Sequence, residues 1–499
     1  MKLSLIYRLS ECFPFQINAK VIREIILITA LFFILILQYS CKKFIDVVGP
    51  PTSLNSDVVF ASDPTATALL TGIYTSISLD DRDGFRGGSG LSLTSLYPGL
   101  SSDELTLQSG ITNVALTGYY TNSILSTTTT GTDFWNKIYP IIYKVNDAID
   151  GILTSKTLSS AVKKQLLGEA YFMRAFCYFY LVNLYGDVPL ILGTDYNINR
   201  LAKRTTQSDV YNQIINDLKQ SQLLLSDQYL DGTLLKPTEA RVRPNKYVAT
   251  AFLARVYLFN NDNVNAEMLS TEVINNKTSY DTVSLKKVFL KNSKETIWAI
   301  QPVGSDVNSN TGEAKLFILP ASGPSDEHPV YLNTDLINNF EPGDKRLENW
   351  VNSISVGSEK YYYPYKYKAG TNATETLEYI TVLRLGELYL IRAEARALQG
   401  NLDGATADLN LIRKRSGLHS IEVRDRGSLL SSITHERRVE LFTEWGHRWF
   451  DLKRTNTVNS VMSVATPKKG GVWNNHWTLY PIPLVEIKFN PNLKQNLGY

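Results

Sequence analysis

Histidine and cysteine are the residues best suited to bind a metal ion or attack a substrate, and this sequence uses both sparingly. The 499 residues include five histidines and three cysteines. His435-Glu436-Arg437-Arg438-Val439 begins like the zinc-protease motif, but Val439 stands where the second histidine would be. No two histidines have the spacing of helical metal ligands. The sequence therefore predicts no metal site and no cofactor.

Carboxylates could serve glycoside hydrolysis, which needs two acidic side chains flanking one glycosidic bond. Asp103-Glu104 is the one acidic pair in a candidate binding loop. Adjacent residues rarely face a substrate from opposite sides, so we interpret the pair as hydrogen-bonding or structural. The fold could still bring together two carboxylates that are distant in sequence, and a surface glycosidase therefore stays open as an alternative.

Cys41 is the cysteine expected to do chemistry. Residues 25–37 are uncharged and mostly apolar, Lys20 and Arg23 precede them, and Ser40 comes directly before Cys41. A run of 13 residues is too short to cross a bilayer, which needs about 20, but it suits a signal peptide. The arrangement resembles a bacterial lipobox, which implies cleavage before Cys41 and lipid attachment to its thiol. The alternative is an N-terminal anchor that is never cleaved.

Composition limits the remaining function classes. The formal net charge is +3, and near-neutral balance gives no basic stripe for nucleic acid. Hydrophobic residues make up 43% of the chain, enough for a large core. Cys177 lies in an apolar helical segment without a cysteine partner, so we expect an inert buried thiol.

The chain divides into three predicted parts. Residues 1–40 form the signal peptide, 41–62 a lipidated tether that contains Pro50-Pro51, and 63–499 a single domain. Helical patterns cover about 63–77, 134–153, 159–185 and 208–225, with Ser208 as the candidate N-cap of the last. The sequence therefore predicts a mainly α fold.

Two later helix pairs share one pattern. In each, a helix ends at a tight turn and a small residue follows in the first turn of the next helix: 247–259 precedes Ala266, and 382–398 precedes Ala405. A small residue there lets two antiparallel helices approach closely, which is the packing of tetratricopeptide hairpins. We expect irregular tetratricopeptide-like helical hairpins within one large domain.

Two long insertions interrupt the helical pattern, near residues 78–132 and 277–380. The first is rich in Gly, Ser and Thr, and the second contains a strand-like run, Thr296–Ile300, among a few short strands. Loops of this length on a rigid framework usually carry function. We therefore expect the binding site on these insertions.

Residues 435–454 read as one charged helix. Its spacing predicts ion pairs of Glu440 with Arg437 and of Glu444 with Arg448. A basic ligand groove is one interpretation. A network that fixes the helix to its neighbours is the favoured one, because the apolar side chains between the charges indicate a buried face: Trp445, Trp449 and Phe450.

Ordered sequence blocks along the chain carry a family resemblance. They include Phe44-Ile45-Asp46 after Cys41, Tyr185-Gly186-Asp187-Val188-Pro189, Gly343-Asp344-Lys345-Arg346 and Tyr480-Pro481-Ile482-Pro483. Further blocks lie at 135–146, 168–176, 253–258, 383–395, 410–413, 436–441 and 495–499. Together these blocks resemble the SusD/RagB family, the surface nutrient-binding lipoproteins of Bacteroidetes.

The resemblance implies an α-rich, non-enzymatic protein, lipid-anchored at the outer membrane and facing the cell exterior. Family members bind glycans, less often peptides, and cap a SusC-like TonB-dependent transporter. The expected partners are therefore a glycan, that transporter and the outer membrane. A peptide-binding member and a protein that binds only its transporter are the alternatives.

The resemblance also implies where a ligand binds. In the family, variable loops supply the contacts. The first insertion offers Asp103, Tyr119, Tyr120 and Asn122 in comparable places, and the second offers three ring-bearing residues. Those three are Phe317, His328 and Tyr331. Starch-binding members often use Trp in the first loop, whereas this chain has none between residues 60 and 135, which argues against an α-glucan.

Overall fold

A computed structural model of the chain describes residues 56–78, 90–127, 132–303, 310–369 and 375–499, with four isolated positions near the N-terminus. Residues Met1–Asn55 and Ser56–Tyr499 form separate units. Cys41 and nearly all of the predicted signal peptide lie outside the described residues. The second unit begins at Ser56, ahead of the predicted end of the tether at residue 62. Phe60, within that interval, is buried.

Helices make up most of the described residues. They are α1 (Ser56–Val59), α2 (Asp63–Ser78), α3 (Tyr97–Ser101), α4 (Val114–Tyr120), α5 (Thr132–Thr154), α6 (Ser160–Tyr185), α7 (Tyr196–Asn199), α8 (Gln207–Leu224), α9 (Lys246–Phe259), α10 (Asn263–Asn275), α11 (Gly312–Phe317), α12 (Thr334–Ile337), α13 (Lys345–Trp350), α14 (Leu385–Leu398), α15 (Leu402–Arg415), α16 (Arg426–Glu440), α17 (His447–Arg454), α18 (Val458–Lys468) and α19 (Leu484–Phe489). Single 3₁₀ turns occur at Gly90–Leu93, Leu285–Lys287 and Asn475–Thr478.

The strands are short and form two-stranded antiparallel pairs. They are β1 (Leu105–Leu107) with β5 (Val330–Leu332), β2 (Val188–Pro189) with β3 (Arg204–Thr205), β4 (Thr296–Ile300) with β8 (Ile380–Arg384), and β6 (Val351–Val356) with β7 (Glu359–Pro364). Most of them lie in the two predicted insertions. These regions are therefore built from short elements.

The long helices pack on one another largely in chain order. α5 packs on α6, α6 on α8, α8 on α9, α9 on α10, and α10 on α14, which also contacts α15 and α16. Short turns join α9 to α10 and α14 to α15, which makes them antiparallel neighbours. The predicted mainly α, tetratricopeptide-like architecture is confirmed.

Both predicted hairpins close on a buried alanine. Ala266 in α10 and Ala405 in α15 have no exposed surface. The two helices begin alike, because Asp262 and Asn401 each cap the first turn with a side-chain oxygen. Before the second cap, Gly400 adopts a φ of 87°, which favours glycine. Small side chains at these positions allow the close helix approach that the sequence predicted.

The core is centred on α6, whose side chains are buried from Ala170 onward with few exceptions. Trp298 of β4 packs edge-on against Phe172 and Phe176, with ring centroids 4.9 and 5.1 Å apart. Cys177 is fully buried beside them, and burial raises the pKa of its thiol well above the usual value. The prediction of a buried thiol is confirmed, and its raised pKa is consistent with low reactivity.

Two predicted helix starts are wrong. α8 is capped by Thr206, whose hydroxyl accepts from the backbone N–H of Asp209 at 3.2 Å, instead of by Ser208. Residues 382–384, predicted as helix, belong to β8, and α14 begins at Leu385. β8 pairs with β4, whose paired residues lie 80 to 88 positions earlier in the chain. A distant pairing of this kind overrides local helical preference.

The charged segment 435–454 is two helices instead of one. α16 ends at Glu440 and α17 begins at His447. Between them Trp445 and Gly446 have positive φ values of 48° and 73°. A Cβ on Gly446 would lie 3.1 Å from Pro98 Cβ and 3.2 Å from the Thr94 carbonyl oxygen. The break therefore lets the first insertion pack closely against this corner.

Candidate functional site

Three tyrosines from separate parts of the chain lie near one another in the two insertions, and two of them are in contact. They are Tyr120 at the end of α4, Tyr331 in β5 and Tyr361 in β7, and each is half-buried. The rings of Tyr331 and Tyr361 pack edge to face, with centroids 5.1 Å apart and planes at 81°. Tyr120 lies close enough for the Tyr331 phenol to influence its pKa. We call Tyr120, Tyr331 and Tyr361 the tyrosine cluster.

Strand register places Tyr331. In the β1–β5 pair, Thr106 lies directly opposite Tyr331, and both are half-buried. The residues on either side of them in both strands are buried: Leu105, Leu107, Val330 and Leu332. Because side chains alternate along a strand, Thr106 and Tyr331 share the outer face.

A tight hairpin places Tyr361. β6 and β7 pair from Val351 with Pro364 to Val356 with Glu359, which leaves a two-residue loop. Gly357 opens that loop with a φ of 61°, as this kind of hairpin turn requires. Gly323 packs beside the same hairpin, where an added Cβ would meet Val356 at 2.8 Å. The hairpin position therefore depends on glycine at two points.

A buried lysine, Lys469, packs against the ring of Tyr120. The Lys469 ammonium lies 5.3 Å from the Tyr120 ring centroid. It also donates to the backbone carbonyls of Leu100, Ser101 and Ser102 at 2.8, 3.3 and 2.9 Å. Thr106 lies close enough to the Tyr120 hydroxyl to lower its pKa, against the larger effect of burial. The segment after α18 thus positions the end of α4.

The cluster presents neutral hydrogen-bonding groups. Burial raises the pKa of the Tyr120 and Tyr331 hydroxyls, so both stay protonated at neutral pH and can donate as well as accept. Burial also lowers the pKa of Lys469 to about 7, while Asp103 acts in the opposite direction. The surface therefore combines aromatic rings with uncharged hydroxyls.

The helix that carries Tyr120 also borders a depression of about 410 Å³. Its lining is mostly apolar or uncharged and includes Ile111, Val114, Thr117 and Leu125. Val114 and Leu125 are more than half exposed. The first insertion thus offers open space beside α4, the helix that ends at Tyr120.

Asp103 does not face this surface. It is 6% exposed, and Arg448 contacts both its oxygens at 2.7 and 2.8 Å while Arg438 adds a contact at 2.8 Å. Burial raises the pKa of Asp103, but Arg448 and Arg438 outweigh that effect and lower it to about 2. Its carboxylate is fully engaged, so the predicted ligand contact is corrected to a structural ion pair.

Tyr119, Asn122 and Phe317 are also buried, with exposures of 0, 2 and 2%. Tyr119 stacks on Tyr97 with centroids 4.2 Å apart. The Asn122 amide donates to the Ser101 carbonyl and accepts from Thr466. Since neighbouring groups already cover these side chains, we do not retain them as ligand contacts.

His328 occupies an intermediate position. It is half-buried at the start of the β5 segment, and its backbone exchanges hydrogen bonds with Ser325 at 3.1 Å.

Tyr120 and Tyr331 are the predicted residues that the structure brings together. Tyr361 and Thr106 were missed, although Tyr361 begins a conspicuous aromatic run, because the strand pairing that places them cannot be read from sequence.

The charged residues near α16 form a buried network, which we call the charge network. Its members are Glu295, Arg346, Lys366, Arg384, Arg415, Glu436, Glu440 and Glu444. Arg384 contacts Glu440 at 2.6 Å and Glu444 at 2.7 Å. Burial raises the pKa of Glu440, but Arg415, Arg384 and Arg346 outweigh it and keep it well below its usual range.

The predicted pairs within residues 435–454 are wrong, although the predicted role is confirmed. Arg437 contacts Asp451 at 2.8 Å and Arg448 contacts Asp103, so neither pairs with a glutamate of its own segment. The glutamates instead contact residues from other elements. Trp445, Trp449 and Phe450 are buried, as predicted. The network therefore ties this corner to its neighbours.

Among the described residues, no group of three or more histidine, cysteine, aspartate or glutamate side chains could hold a metal ion. In the same part of the chain, no helix has the length and apolarity needed to cross a membrane.

Two family models match most of the described body. A model described as "Starch-binding associating with outer membrane" matches residues 94–258. The SusD family model matches residues 294–499. Between them they include α4, both strands of the β1–β5 pair and the charge network.

Relatives agree with these matches. SusD-like protein P2 of Formosa agariphila is 26% identical over 416 residues, covering 73% of this chain and 79% of that protein. A SusD-like protein of Bacteroides ovatus is 26% identical over 400 residues, covering 69 and 68%. The starch-binding protein SusD of Bacteroides thetaiotaomicron is 30% identical over 179 residues, covering 34 and 28%.

Solved structures share the fold. A SusD superfamily protein from Bacteroides vulgatus superposes with a TM-score of 0.75 at 20% identity, covering 88% of this chain and 99% of that one. A laminarin-binding SusD-like protein superposes with a TM-score of 0.72 at 24% identity, covering 87 and 99%.

Proposed function

The chain belongs to the SusD/RagB family, and from this membership and the tyrosine cluster we propose that it is a cell-surface glycan-binding lipoprotein. It binds oligosaccharides or polysaccharide fragments and delivers them to a SusC-like TonB-dependent transporter. Lipid on Cys41 holds it at the outer membrane, facing the exterior. Tyr120, Tyr331 and Tyr361 form the contact surface.

The geometry of the tyrosine cluster is the observation that carries this proposal. Aromatic faces suit the C–H surfaces of sugar rings, and tyrosine adds a hydroxyl at the ring edge. Sugar hydroxyls that leave water need replacement partners, which protonated Tyr120 and Tyr331 can supply. The edge-to-face packing of Tyr331 and Tyr361 fixes both rings before a ligand arrives. A preformed surface of this kind suits capture.

Binding without cleavage is part of the proposal. A glycosidase of the common type needs two carboxyl groups flanking one bond, about 5–9.5 Å apart. Next to the cluster, Asp103 is bound by two arginines and Glu104 is buried. Glu359 is an exposed carboxylate near Tyr331. Of these three described carboxylates only Glu359 is exposed, which supports a binding surface without a hydrolytic pair.

Related proteins indicate which glycans to test first. One structural neighbour is a laminarin-binding SusD-like protein, and another is a surface glycan-binding protein of Bacteroides uniformis. One matching family model is described as starch-binding. Laminarin fragments are therefore the first candidate, and starch fragments come second because the first insertion lacks the tryptophan that argues for an α-glucan.

Isothermal titration of the protein against this glycan panel and a peptide mixture tests the proposal. We expect one glycan class to bind and Tyr331→Ala to weaken it about three- to tenfold, since a stacked ring contributes ~0.5–1.5 kcal/mol. Tyr196→Ala is the matched control, because Tyr196 is 74% exposed on α7 and lies outside the cluster. Binding of peptides with no glycan binding would refute the glycan proposal, and hydrolysis by the purified protein would refute binding without cleavage.

A further inference from the structure

A second group of aromatic rings lies near the C-terminus. Trp477 packs against His476 and Tyr499, with ring centroids 4.1 and 5.5 Å away. Trp473 lies four residues earlier and packs edge-on against buried Trp449 at 6.3 Å. We call Trp473, His476, Trp477 and Tyr499 the tryptophan surface. All four side chains are partly exposed.

Hydrogen bonds fix the orientation of these rings. Trp473 Nε1 donates to Asn459 Oδ1 at 3.0 Å, and Trp477 Nε1 donates to the Val472 carbonyl at 3.2 Å. The Tyr499 hydroxyl donates to the Leu479 carbonyl at 2.7 Å. The polar atoms of the Trp473, Trp477 and Tyr499 rings are thus already paired within the protein, and a ligand would meet the remaining ring surface.

The segment that carries the tryptophans has no charged side chain. From Val472 to Thr478 it reads Val-Trp-Asn-Asn-His-Trp-Thr, and burial lowers the pKa of His476 below its usual value, so the imidazole is neutral at neutral pH. Asn474 and Asn475 are exposed amides between the two tryptophans. Aromatic rings bordered by neutral amides match an uncharged saccharide, which offers C–H faces and hydroxyls.

The tryptophan surface adjoins the tyrosine cluster. Gly471 packs so closely on the first insertion that an added Cβ would lie 2.0 Å from the Thr121 carbonyl oxygen. Thr121 directly follows Tyr120, and Val472, which is 82% exposed, directly follows Gly471. Lys469, two residues before Gly471, lies under the Tyr120 ring. The same short segment therefore leads from one aromatic group to the other.

We propose that the tryptophan surface is a second saccharide-contact site for neutral sugar units of a chain that also occupies the tyrosine cluster. This inference rests on the proposed glycan-binding function. A disaccharide contacts the tyrosine cluster alone, whereas a longer chain passes Gly471 and adds a ring contact at Trp477. The protein therefore selects for chain length as well as for sugar type.

The test compares short and long ligands of one glycan. A disaccharide and a hexasaccharide prepared from laminarin, or from starch if the wild type binds that, are titrated into wild type and Trp477→Ala. We expect Trp477→Ala to weaken hexasaccharide binding about three- to tenfold, the contribution of one stacked ring, and to leave disaccharide binding unchanged. Tyr331→Ala should weaken both.

Two further variants test whether misfolding, instead of the lost ring contact, explains weaker binding by Trp477→Ala. Trp477→Phe keeps a packed ring beside His476 and Tyr499 and should lose less hexasaccharide affinity than Trp477→Ala. Phe489→Ala removes an exposed ring on α19 that belongs to neither aromatic group and should match wild type for both ligands. Melting temperatures of all variants show whether each one folds.

The outcomes separate this inference from the function on which it rests. Hexasaccharide affinity unchanged in Trp477→Ala, while Tyr331→Ala weakens it, would overturn the second site and leave the proposed function standing. Failure of the wild type to bind any saccharide would overturn both. If Trp477→Ala weakened binding to a purified SusC-like transporter and left every saccharide affinity unchanged, the surface would be a protein contact and the inference would be wrong.

Discussion

The charge network and the tyrosine cluster both include residues of the second insertion, and they use polar groups in opposite ways. In the network, Arg384 and Glu440 are at most 2% exposed and every carboxylate contacts at least one cation. In the cluster, the rings are half-buried and the hydroxyls of Tyr120 and Tyr331 are uncharged. The first arrangement is closed to solvent and the second is open to it.

This difference separates structural residues from binding residues. Burying a charge costs several kcal/mol, so a buried ion that is already paired has no capacity left for a ligand. Neutral hydroxyls on half-exposed rings carry no such cost and can exchange water for sugar hydroxyls. Conspicuous charge motifs therefore mark the framework of this protein, and less conspicuous tyrosines mark its candidate site.

Removal of one cation from the network should have the largest effect. Arg384→Met leaves Glu295, Glu440 and Glu444 with fewer partners in a region closed to water. We expect the free energy of unfolding to fall by about 3–5 kcal/mol, measured by denaturant titration. Lys468→Met is the matched control, because the Lys468–Asp335 pair is at least half exposed on both sides and should contribute less than about 1 kcal/mol. Similar losses in the two variants would contradict the contrast.

Adjacent tyrosines test the comparison within one helix. Tyr119 is fully buried against Tyr97, whereas Tyr120 belongs to the cluster. Tyr119→Ala should lower stability by about 3 kcal/mol because it opens a cavity. Tyr120→Ala should lower it by about 1 kcal/mol or less and weaken glycan binding about three- to tenfold instead. Calorimetric melting and titration of both variants check this, and an exchange of the two phenotypes would refute the assignment.

Local sequence patterns were enough to predict the framework. Helical periodicity placed the long helices, and Ala266 and Ala405 indicated the hairpins, because helix packing depends on contacts between residues near in sequence. For the ring-bearing residues of the insertions, the sequence predicted only some of those that the structure brings together. Tyr331 joins Tyr120 through pairing of β5 with β1, more than 200 residues apart, and Tyr361 joins through a hairpin.

The charge pairs show the same limit more sharply. Helical spacing predicted Glu440 with Arg437 and Glu444 with Arg448. The break at Gly446, which lets residues 94–98 approach, turns α17 away from the line of α16. Arg448 then reaches Asp103, 345 residues distant. Helical spacing rules assume one continuous helix, but tertiary packing divides this segment into two helices.

Glu104 lies between the two regions and should give the smallest effect. Its side chain is 3% exposed, and its Oε1 has no hydrogen-bond partner among the described residues. Burial raises its pKa from 4.5 to about 7, although the Thr443 backbone and Lys366 act in the opposite direction. A raised pKa of this kind stabilises the folded state below pH 4.5, and that stabilisation is lost as the pH rises through 7.

Glu104→Gln removes this titration, so the variant should gain on wild type as the pH rises. We expect wild type and Glu104→Gln to have equal free energies of unfolding near pH ~4. Near pH ~8 the free energy of unfolding of Glu104→Gln should be higher by an amount on the order of 1–3 kcal/mol. Asp103→Asn is the control with the opposite sign. The pKa of Asp103 is lowered to about 2, so its stabilisation is present above 3.8 and is lost as the pH falls through 2. Asp103→Asn should therefore be less stable than wild type at neutral pH, with the deficit shrinking in acid. If the stability of both variants relative to wild type changed in the same direction with pH, the assignment of Asp103 as a paired carboxylate and Glu104 as an unpaired one would be wrong.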